Sequence, residues 1–108
     1  MSDYVFEDKG DGTFAIIGKL TFKTVTDIFE ESKEAFEEHA VITVDLSGVT
    51  ESDSAGLALL LEWINWAKYY VHEIQYKNLP DQIKAIAEIS EVEDMLHAGE
   101  RWLGPAEA

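Results

Sequence analysis

Cysteine is absent from the 108-residue chain, and proline occurs only twice. Without cysteine there is no disulfide, no thiolate nucleophile and no cysteine-ligated metal, so a cytoplasmic location is the default expectation. The histidines, His39, His72 and His97, are widely spaced and form no metal-binding motif. The sequence therefore predicts neither a metal nor any other cofactor.

Basic residues are also scarce. The chain has eight lysines and arginines and 22 aspartates and glutamates, which gives a net charge of −14. The electrostatic field of so negative a chain repels phosphate backbones and anionic lipid headgroups, so nucleic acid is not an expected partner. It favours a protein partner with a basic docking surface, because charge complementarity speeds encounter and filters partners.

Long apolar runs are missing as well. The N-terminus lacks the basic and apolar regions of a signal peptide. The most apolar stretch, residues 55–71, is interrupted by Glu62, Asn65 and Lys68. It falls short of the roughly 20 apolar residues that a membrane span requires, so the chain is expected to be soluble.

What the chain does contain is enough apolar surface for one core, since 46% of its residues are hydrophobic and 11% are aromatic. Its length leaves room for one domain. We expect that domain to span residues 1–96. Residues 97–108 have no periodicity and carry Gly99, Gly104 and Pro105, which predicts a loose C-terminal tail.

The order of predicted elements is β-β-α-β-α-β-α. Residues 4–6 and 13–17 read as a hairpin, and a helix capped by Thr24 follows. Residues 41–46 are typical of a central strand, residues 47–53 of a polar loop, and a helix is expected from Ser54 to about Tyr70. A strand over 73–79, a helix beginning at Pro80 and Asp81 and a last helical turn over 91–96 complete the chain. Strands alternating with helices predict an α/β fold with helices packed on a mixed sheet.

The junction before the long helix carries the most chemical information. Ser54 stands where backbone N–H groups and the positive end of the helix point outward, which suits an anion and makes a phosphorylation switch plausible. The alternative is that Ser54 is an ordinary N-cap. Gly56 in the first helical turn is a poor helix former, so its presence indicates close approach of another backbone, within the chain or from a partner.

The same helix is apolar on more than one side. Leu59, Trp63, Trp66 and Tyr70 form a flank apart from the core stripe. Tryptophan and tyrosine are enriched in binding hot spots, so this flank is a candidate protein interface or a self-association surface. The alternative is that both tryptophans pack under neighbouring helices.

Catalysis is not predicted. The glycines form no phosphate-cradling loop, because Gly10 and Gly12 precede a strand and not a helix. Asp45, Glu51 and Asp53 could supply paired carboxylates, but no nucleophile accompanies them. We expect a non-catalytic protein.

Two segments resemble a known family. D-L-S-G-V at residues 45–49 and D-S-A-G-L at residues 53–57 are similar to the signature of STAS domains, found in anti-sigma-factor antagonists and sulfate-transporter tails. Residues 18–20 and 78–80 fall where that family has its G-x-L and N-x-P turns. The resemblance covers nearly the whole chain and implies a small mixed sheet with helices packed on one side.

The leucine run after Gly56 is similar to one branch, the MlaB-type STAS subunit of the bacterial ABC transporter for lipid asymmetry. This resemblance implies a non-catalytic, cytoplasmic subunit that binds the transporter ATPase and reaches the permease and the inner membrane only through it. Phospholipid transport that maintains outer-membrane asymmetry would be its function. We expect the ATPase to contact a face formed by Thr50, Glu51, Asp53, Ser54, Ala55, Leu59, Trp63 and Trp66.

The resemblance leaves a second function open. In anti-sigma-factor antagonists the position of Ser54 is phosphorylated, and phosphorylation releases a partner kinase. Those proteins usually read D-S-S-G or D-S-T-G, whereas this chain has Ala55 after the serine. That departure favours the transporter branch.

Overall fold

The computed structural model describes residues 3–100, with side chains as far as Leu96. Strands and helices follow the order β-β-α-β-α-β-α-α. The elements are β1 (Tyr4–Gly10), β2 (Thr13–Leu20), α1 (Val25–Glu37), β3 (Val41–Ser52), α2 (Ser54–Tyr70), β4 (Glu73–Lys77), α3 (Asp81–Ile89) and α4 (Glu93–Glu100).

One mixed sheet has the strand order β1-β2-β3-β4. Strands β1 and β2 are the predicted hairpin and pair antiparallel, whereas β2 with β3 and β3 with β4 pair parallel. The hairpin turns through Gly10, Asp11 and Gly12, all of which have positive φ. Glycine adopts this conformation without steric cost, so the glycine-rich sequence explains the tight turn.

The helices cover one face of this sheet, as the resemblance implied. Alternate residues of β2, β3 and β4 point into the core because side chains alternate across a strand. On the opposite face Val5 and Ile17 are exposed. The core side chains supplied by the sheet are Phe14, Ile16, Leu20, Ile42, Val44, Leu46, Ile74 and Tyr76, and they pack against Ile28, Phe36, Leu60, Trp63, Ile64, Ile83 and Leu96 of the helices.

Strand β3 is twice as long as predicted. The segment expected to be a polar loop, residues 47–53, continues as strand as far as Ser52. Its backbone pairs with the second half of β2, from Ile17 opposite Gly48 to Leu20 opposite Ser52, with register shifts on the way. The prediction of a loop was wrong because pairing with a distant strand, and not local side-chain polarity, decides the conformation here.

The C-terminal helix extends further than the sequence indicated. Helix α4 reaches Glu100, so the first four residues of the segment assigned to a loose tail, 97–100, are helical. The rest of that segment, 101–108, lies outside the described residues. None of the helices within residues 3–100 has the length and apolar character needed to cross a bilayer.

Candidate functional site

The first turn of α2 is held by a carboxylate. Asp53 is the N-cap: its Oδ1 accepts hydrogen bonds from the backbone N–H groups of Ala55 at 2.9 Å and Gly56 at 3.1 Å. Its Oδ2 accepts from the backbone N–H of Phe22 at 3.1 Å. One side chain therefore fixes the start of α2 and the loop between β2 and α1. The reading of Ser54 as N-cap was wrong, because the preceding residue takes that position.

This cap changes the chemistry expected at Ser54. The Ser54 side chain is exposed, and within residues 3–100 its hydroxyl makes no hydrogen bond to the protein. Two of the N–H groups that would receive an anion at a helix start are already bound by Asp53. A phosphate on Ser54 would stand beside a carboxylate, which offsets the attraction of the helix end. The hydroxyl is thus free for a neutral contact, and the site is less suited to an anion than the sequence indicated.

Gly56 marks a close approach between backbones, as predicted. A Cβ built on Gly56 would overlap the carbonyl oxygen of Leu20 at the end of β2. The neighbouring backbone is therefore that of the chain's own sheet and not that of a partner. This close contact and the hydrogen bonds of Asp53 fix the start of α2 against the end of β2.

Sequence reasoning missed Phe22. Its side chain is 71% exposed at the start of the β2–α1 loop, while its backbone N–H is bound by Asp53. An exposed large apolar side chain on a fixed backbone is a common feature of protein interfaces. The only signal in the sequence is an aromatic residue that belongs to neither the strand pattern nor the helical stripe.

The residues predicted to form the partner-binding face divide into three groups. Thr50, Glu51 and Ser54 are exposed, and Asp53 and Ala55 are partly buried at the same end of α2. Leu59 and Trp63 lie in the core, with 5% and 1% of their surfaces exposed. Trp66 is partly buried further along the helix.

Trp63 is buried because α1 provides a polar partner for its indole. The Trp63 Nε1 atom donates to Ser32 Oγ at 3.0 Å, and Ser32 Oγ donates to the carbonyl oxygen of Phe29 at 2.8 Å. The Phe36 ring lies 5.2 Å from the Trp63 ring between centroids. The expectation that Trp63 contacts a partner directly is therefore corrected, because its side chain packs within the core. Leu59 is 5% exposed and presents only a small part of its surface, at the wall of the groove described next.

A groove between α1 and α2 continues the site. It has a volume of about 310 Å³. Its walls are mainly apolar, and Ala55 places it next to Ser54. The lining residues are Val25, Thr26, Phe29, Ala55, Ala58, Leu59 and Glu62.

The end of β3 is anchored on its other side by α3. The backbone N–H of Ser52 donates to Gln82 Oε1 at 3.0 Å, and the Ser52 hydroxyl donates to the same oxygen at 3.3 Å. Asp53 therefore directly follows a strand end whose position is fixed. This anchoring keeps the exposed Ser54 in a defined position.

Asp45, considered above as one of several paired carboxylates, lies in β3 and is held by hydrogen bonds. Its Oδ1 accepts from the side-chain nitrogen of Asn78 at 3.0 Å and from the backbone N–H of Ser47 at 2.9 Å. These hydrogen bonds, that of Asn78 above all, lower the pKa of Asp45. A low pKa is unfavourable for a general base at neutral pH. Among the described residues no three histidine, aspartate or glutamate side chains group as metal ligands would.

The chain is similar in sequence to known proteins. The model of a family described as "Mlab, STAS domain" matches residues 6–97. Two curated proteins, both named intermembrane phospholipid transport system binding protein MlaB, from Escherichia coli (strain K12) and Shigella flexneri, are 30% identical to the chain over 77 residues. The aligned region covers 71% of this chain and 77% of each relative.

A solved structure, that of the anti-sigma factor antagonist SpoIIAA in its unphosphorylated form, has a similar fold. The TM-score is 0.61 with 16% sequence identity, and the match covers 87% of this chain and 97% of the other. At this identity the likeness concerns the arrangement of strands and helices.

Proposed function

The chain belongs to the Mlab, STAS domain family, and on that premise we propose that it is a non-catalytic subunit of an ABC phospholipid transporter that binds the ATPase of the complex. The proposal is supported by its identity with MlaB, a protein named for binding within an intermembrane phospholipid transport system. In this role the protein supports the ATPase that maintains outer-membrane lipid asymmetry. It is cytoplasmic and meets the inner membrane only through the complex.

The observation that carries the docking face is the pairing of an exposed aromatic ring with an exposed hydroxyl on a fixed backbone. Asp53 binds the backbone on both sides, at Phe22 and at the first turn of α2 after Ser54. A backbone held in this way loses little conformational entropy when a partner binds. We name this surface the docking face and define it as Phe22, Thr50, Glu51, Ser54 and Ala55.

The docking face offers a partner both polar and apolar contacts. The Ser54 hydroxyl can donate or accept a hydrogen bond, and Glu51 supplies a negative charge for a basic residue. Phe22 and the groove that begins at Ala55 supply apolar surface. Leu59 and Trp63 contribute by keeping α2 in place, since both are buried.

Affinity purification tests the proposal. The tagged protein is isolated from its native host in mild detergent, and the co-purifying proteins are identified by mass spectrometry. We expect an ABC ATPase together with its permease. Recovery of a serine kinase or a sigma-regulatory protein in their place would overturn the proposal in favour of a phosphorylation-switched antagonist.

A matched pair of variants locates the docking face. Phe22→Ala is expected to reduce recovery of the ATPase about fivefold or more, because truncation of an interface anchor costs more than about 1 kcal/mol. Ile89→Ala removes an aliphatic side chain on α3 that is 82% exposed, compared with 71% for Phe22, and is expected to leave recovery unchanged. Equal recovery with both variants would place the ATPase elsewhere on the molecule.

Ser54 requires a separate pair. Ser54→Asp adds a charge beside Asp53 and Glu51, whereas Ser54→Asn adds a side chain of similar size without the charge. We expect the aspartate variant to lose the ATPase and the asparagine variant to retain more of it, because a new carboxylate must lose its water on docking, whereas the amide keeps a neutral hydrogen-bonding group. Full recovery with Ser54→Asp would remove Ser54 from the docking face.

A further inference from the structure

A second groove lies at the opposite end of α2. Its lining residues on α2, from Glu62 to Tyr70, lie about 12 to 24 Å from Ser54 along the helix, at about 1.5 Å per residue. Its volume is about 740 Å³. We name it the aromatic groove, because five of its nine lining residues carry aromatic rings. These residues are Phe29, Lys33, Glu37, Glu62, Asn65, Trp66, Tyr69, Tyr70 and His72.

Four of these rings form a connected cluster. The Trp66 and His72 rings stack with centroids 4.6 Å apart and planes 22° apart, and Tyr70 lies 5.7 Å from Trp66. Tyr69 meets Tyr70 edge to face at 4.8 Å. His72 is fixed in turn, because its Nδ1 atom lies 2.6 Å from the carbonyl oxygen of His39, at hydrogen-bond distance. The base of the groove is therefore preorganised.

The outer rings of this cluster are open to solvent. Tyr69 is 79% exposed and Tyr70 is 57% exposed. Exposed tyrosines on a fixed platform provide a large contact area and lose little entropy on binding. This end of α2 therefore has the features of a binding surface and not those of a core.

The charge of the groove selects its occupant. Glu37 and Glu62 are exposed carboxylates in its lining, and the one lysine of the lining, Lys33, is paired with Glu30. The whole chain carries a net charge of −14. An intramolecular contact already illustrates the chemistry: Lys33 Nζ lies 5.1 Å from the centre of the Phe29 ring and 3.3 Å from Glu30 Oε2. Aromatic faces and carboxylates together favour a cation.

We propose that the aromatic groove binds a basic segment of a protein partner, with an arginine or lysine side chain against Tyr69 and Tyr70 and its charge towards Glu37. A second copy of the chain would bring a net charge of −14 to this surface, and an anionic lipid headgroup would meet carboxylates. Both are disfavoured by like-charge repulsion. A segment rich in arginine or lysine gains both the cation–π and the ionic contact.

This site is independent of the docking face, although Phe29 and Glu62 line both grooves. Tyr70 and Glu37 belong to the aromatic groove alone and are the residues to substitute. Loss of binding at the aromatic groove therefore need not affect recovery of the ATPase through Phe22, and each proposal can fail separately.

Titration of the full-length, ¹⁵N-labelled protein tests the inference. The probe is the peptide acetyl-Gly-Arg-Leu-Arg-Gly-amide, and the reference has glutamine at both arginine positions. We expect saturable shifts of the Trp66 indole N–H and of the backbone amides of residues 69–72 with the arginine peptide alone. Equal shifts with the glutamine peptide would overturn the proposal, as would shifts produced by raising the protein concentration without peptide, since these indicate self-association.

Two pairs of variants then identify the contacts. Tyr70→Ala is expected to weaken peptide binding about two- to fivefold, the size of an exposed cation–π contact, whereas Phe22→Ala, at the other end of α2, leaves it unchanged. Glu37→Gln is expected to weaken binding about twofold and Glu34→Gln to have no effect, although both remove one exposed charge from α1. Equal effects of the two glutamine variants would show general charge attraction and overturn the proposed site.

Discussion

The two ends of helix α2 are fixed in different ways. At the N-terminal end Asp53 binds three backbone N–H groups, and Gly56 lies against the Leu20 carbonyl. At the C-terminal end the helix stops at Val71, which has φ 62° and ψ 49° and is 88% exposed. Backbone contacts determine the first end, whereas the second end has an unfavourable backbone conformation and open aromatic side chains. Both ends are thus held in place and present accessible surface, but different contacts hold them.

The largest expected effect comes from breaking the N-terminal end. Gly56→Ala should lower the free energy of unfolding by about 3 kcal/mol, because the new methyl group would overlap a backbone oxygen that cannot move alone. Helix propensity works in the opposite direction by about 1 kcal/mol. Urea denaturation measures the difference, and Ala58→Gly at an exposed position of the same helix measures the propensity term. A Gly56→Ala variant as stable as the parent would show that the approach to Leu20 does not restrict α2.

The second test asks which residue caps the helix. Asp53→Ala should cost about 2 kcal/mol, because the N–H groups of Ala55 and Gly56 lose their acceptor. Ser54→Ala should change stability by less than about 0.5 kcal/mol, as expected of an exposed side chain. Asp53→Asn keeps an acceptor oxygen and should fall between them. If the serine variant were the more damaging one in urea denaturation, the assignment of the cap would be wrong.

The N-terminal end of α2 also shows how much of the site can be predicted from the sequence. The bounds of α2 follow from its apolar spacing and from the polar junction before it. The choice between Asp53 and Ser54 as cap does not, since both residue types are good N-caps. It is decided by the backbone N–H of Phe22, which lies far away in sequence and makes the aspartate position the one with two sets of donors.

The tryptophans give a similar lesson. Trp63 and Trp66 belong to one apolar flank in sequence, yet the first is 1% exposed and the second is only partly buried and lines the aromatic groove. The difference is set by α1, where Ser32 accepts the Trp63 indole N–H. Which flank a neighbouring helix covers is a tertiary property, so the core and the interface could not be separated from spacing alone. The exposed part of the partner-binding face remains a prediction.

The C-terminal end should respond in the opposite direction. Val71→Gly is expected to raise the free energy of unfolding by about 0.5 to 1 kcal/mol, because a β-branched residue in the left-handed region is strained and glycine is not. Little burial is lost, since the valine side chain is exposed. The urea midpoint reports the gain, with Val71→Ala as the control that keeps a Cβ. A loss of stability with glycine would mean that Val71 makes contacts that outweigh the strain.

A contact remote from both ends of α2 supplies the reference, and its effect is the smallest. The Tyr4 hydroxyl donates to Glu31 Oε1 at 2.7 Å and joins β1 to α1. Burial and this hydrogen bond raise the pKa of Tyr4 to about 12 from 10.0. At pH 8 we expect Tyr4→Phe to cost about 0.5 kcal/mol, the size of a single exposed hydrogen bond.

The pH dependence of that cost follows from the pKa values. Above pH 10 the unfolded chain releases the Tyr4 proton while the folded chain still holds it, so the unfolded state binds fewer protons and stability falls as pH rises. The contribution is complete below pH 10 and is lost as pH approaches 12. The stability difference between the parent and Tyr4→Phe, measured by urea denaturation at pH 8 and pH 11, should therefore shrink. A constant difference would show that Tyr4 titrates alike in both states, and the hydrogen bond to Glu31 would then contribute nothing that depends on the proton.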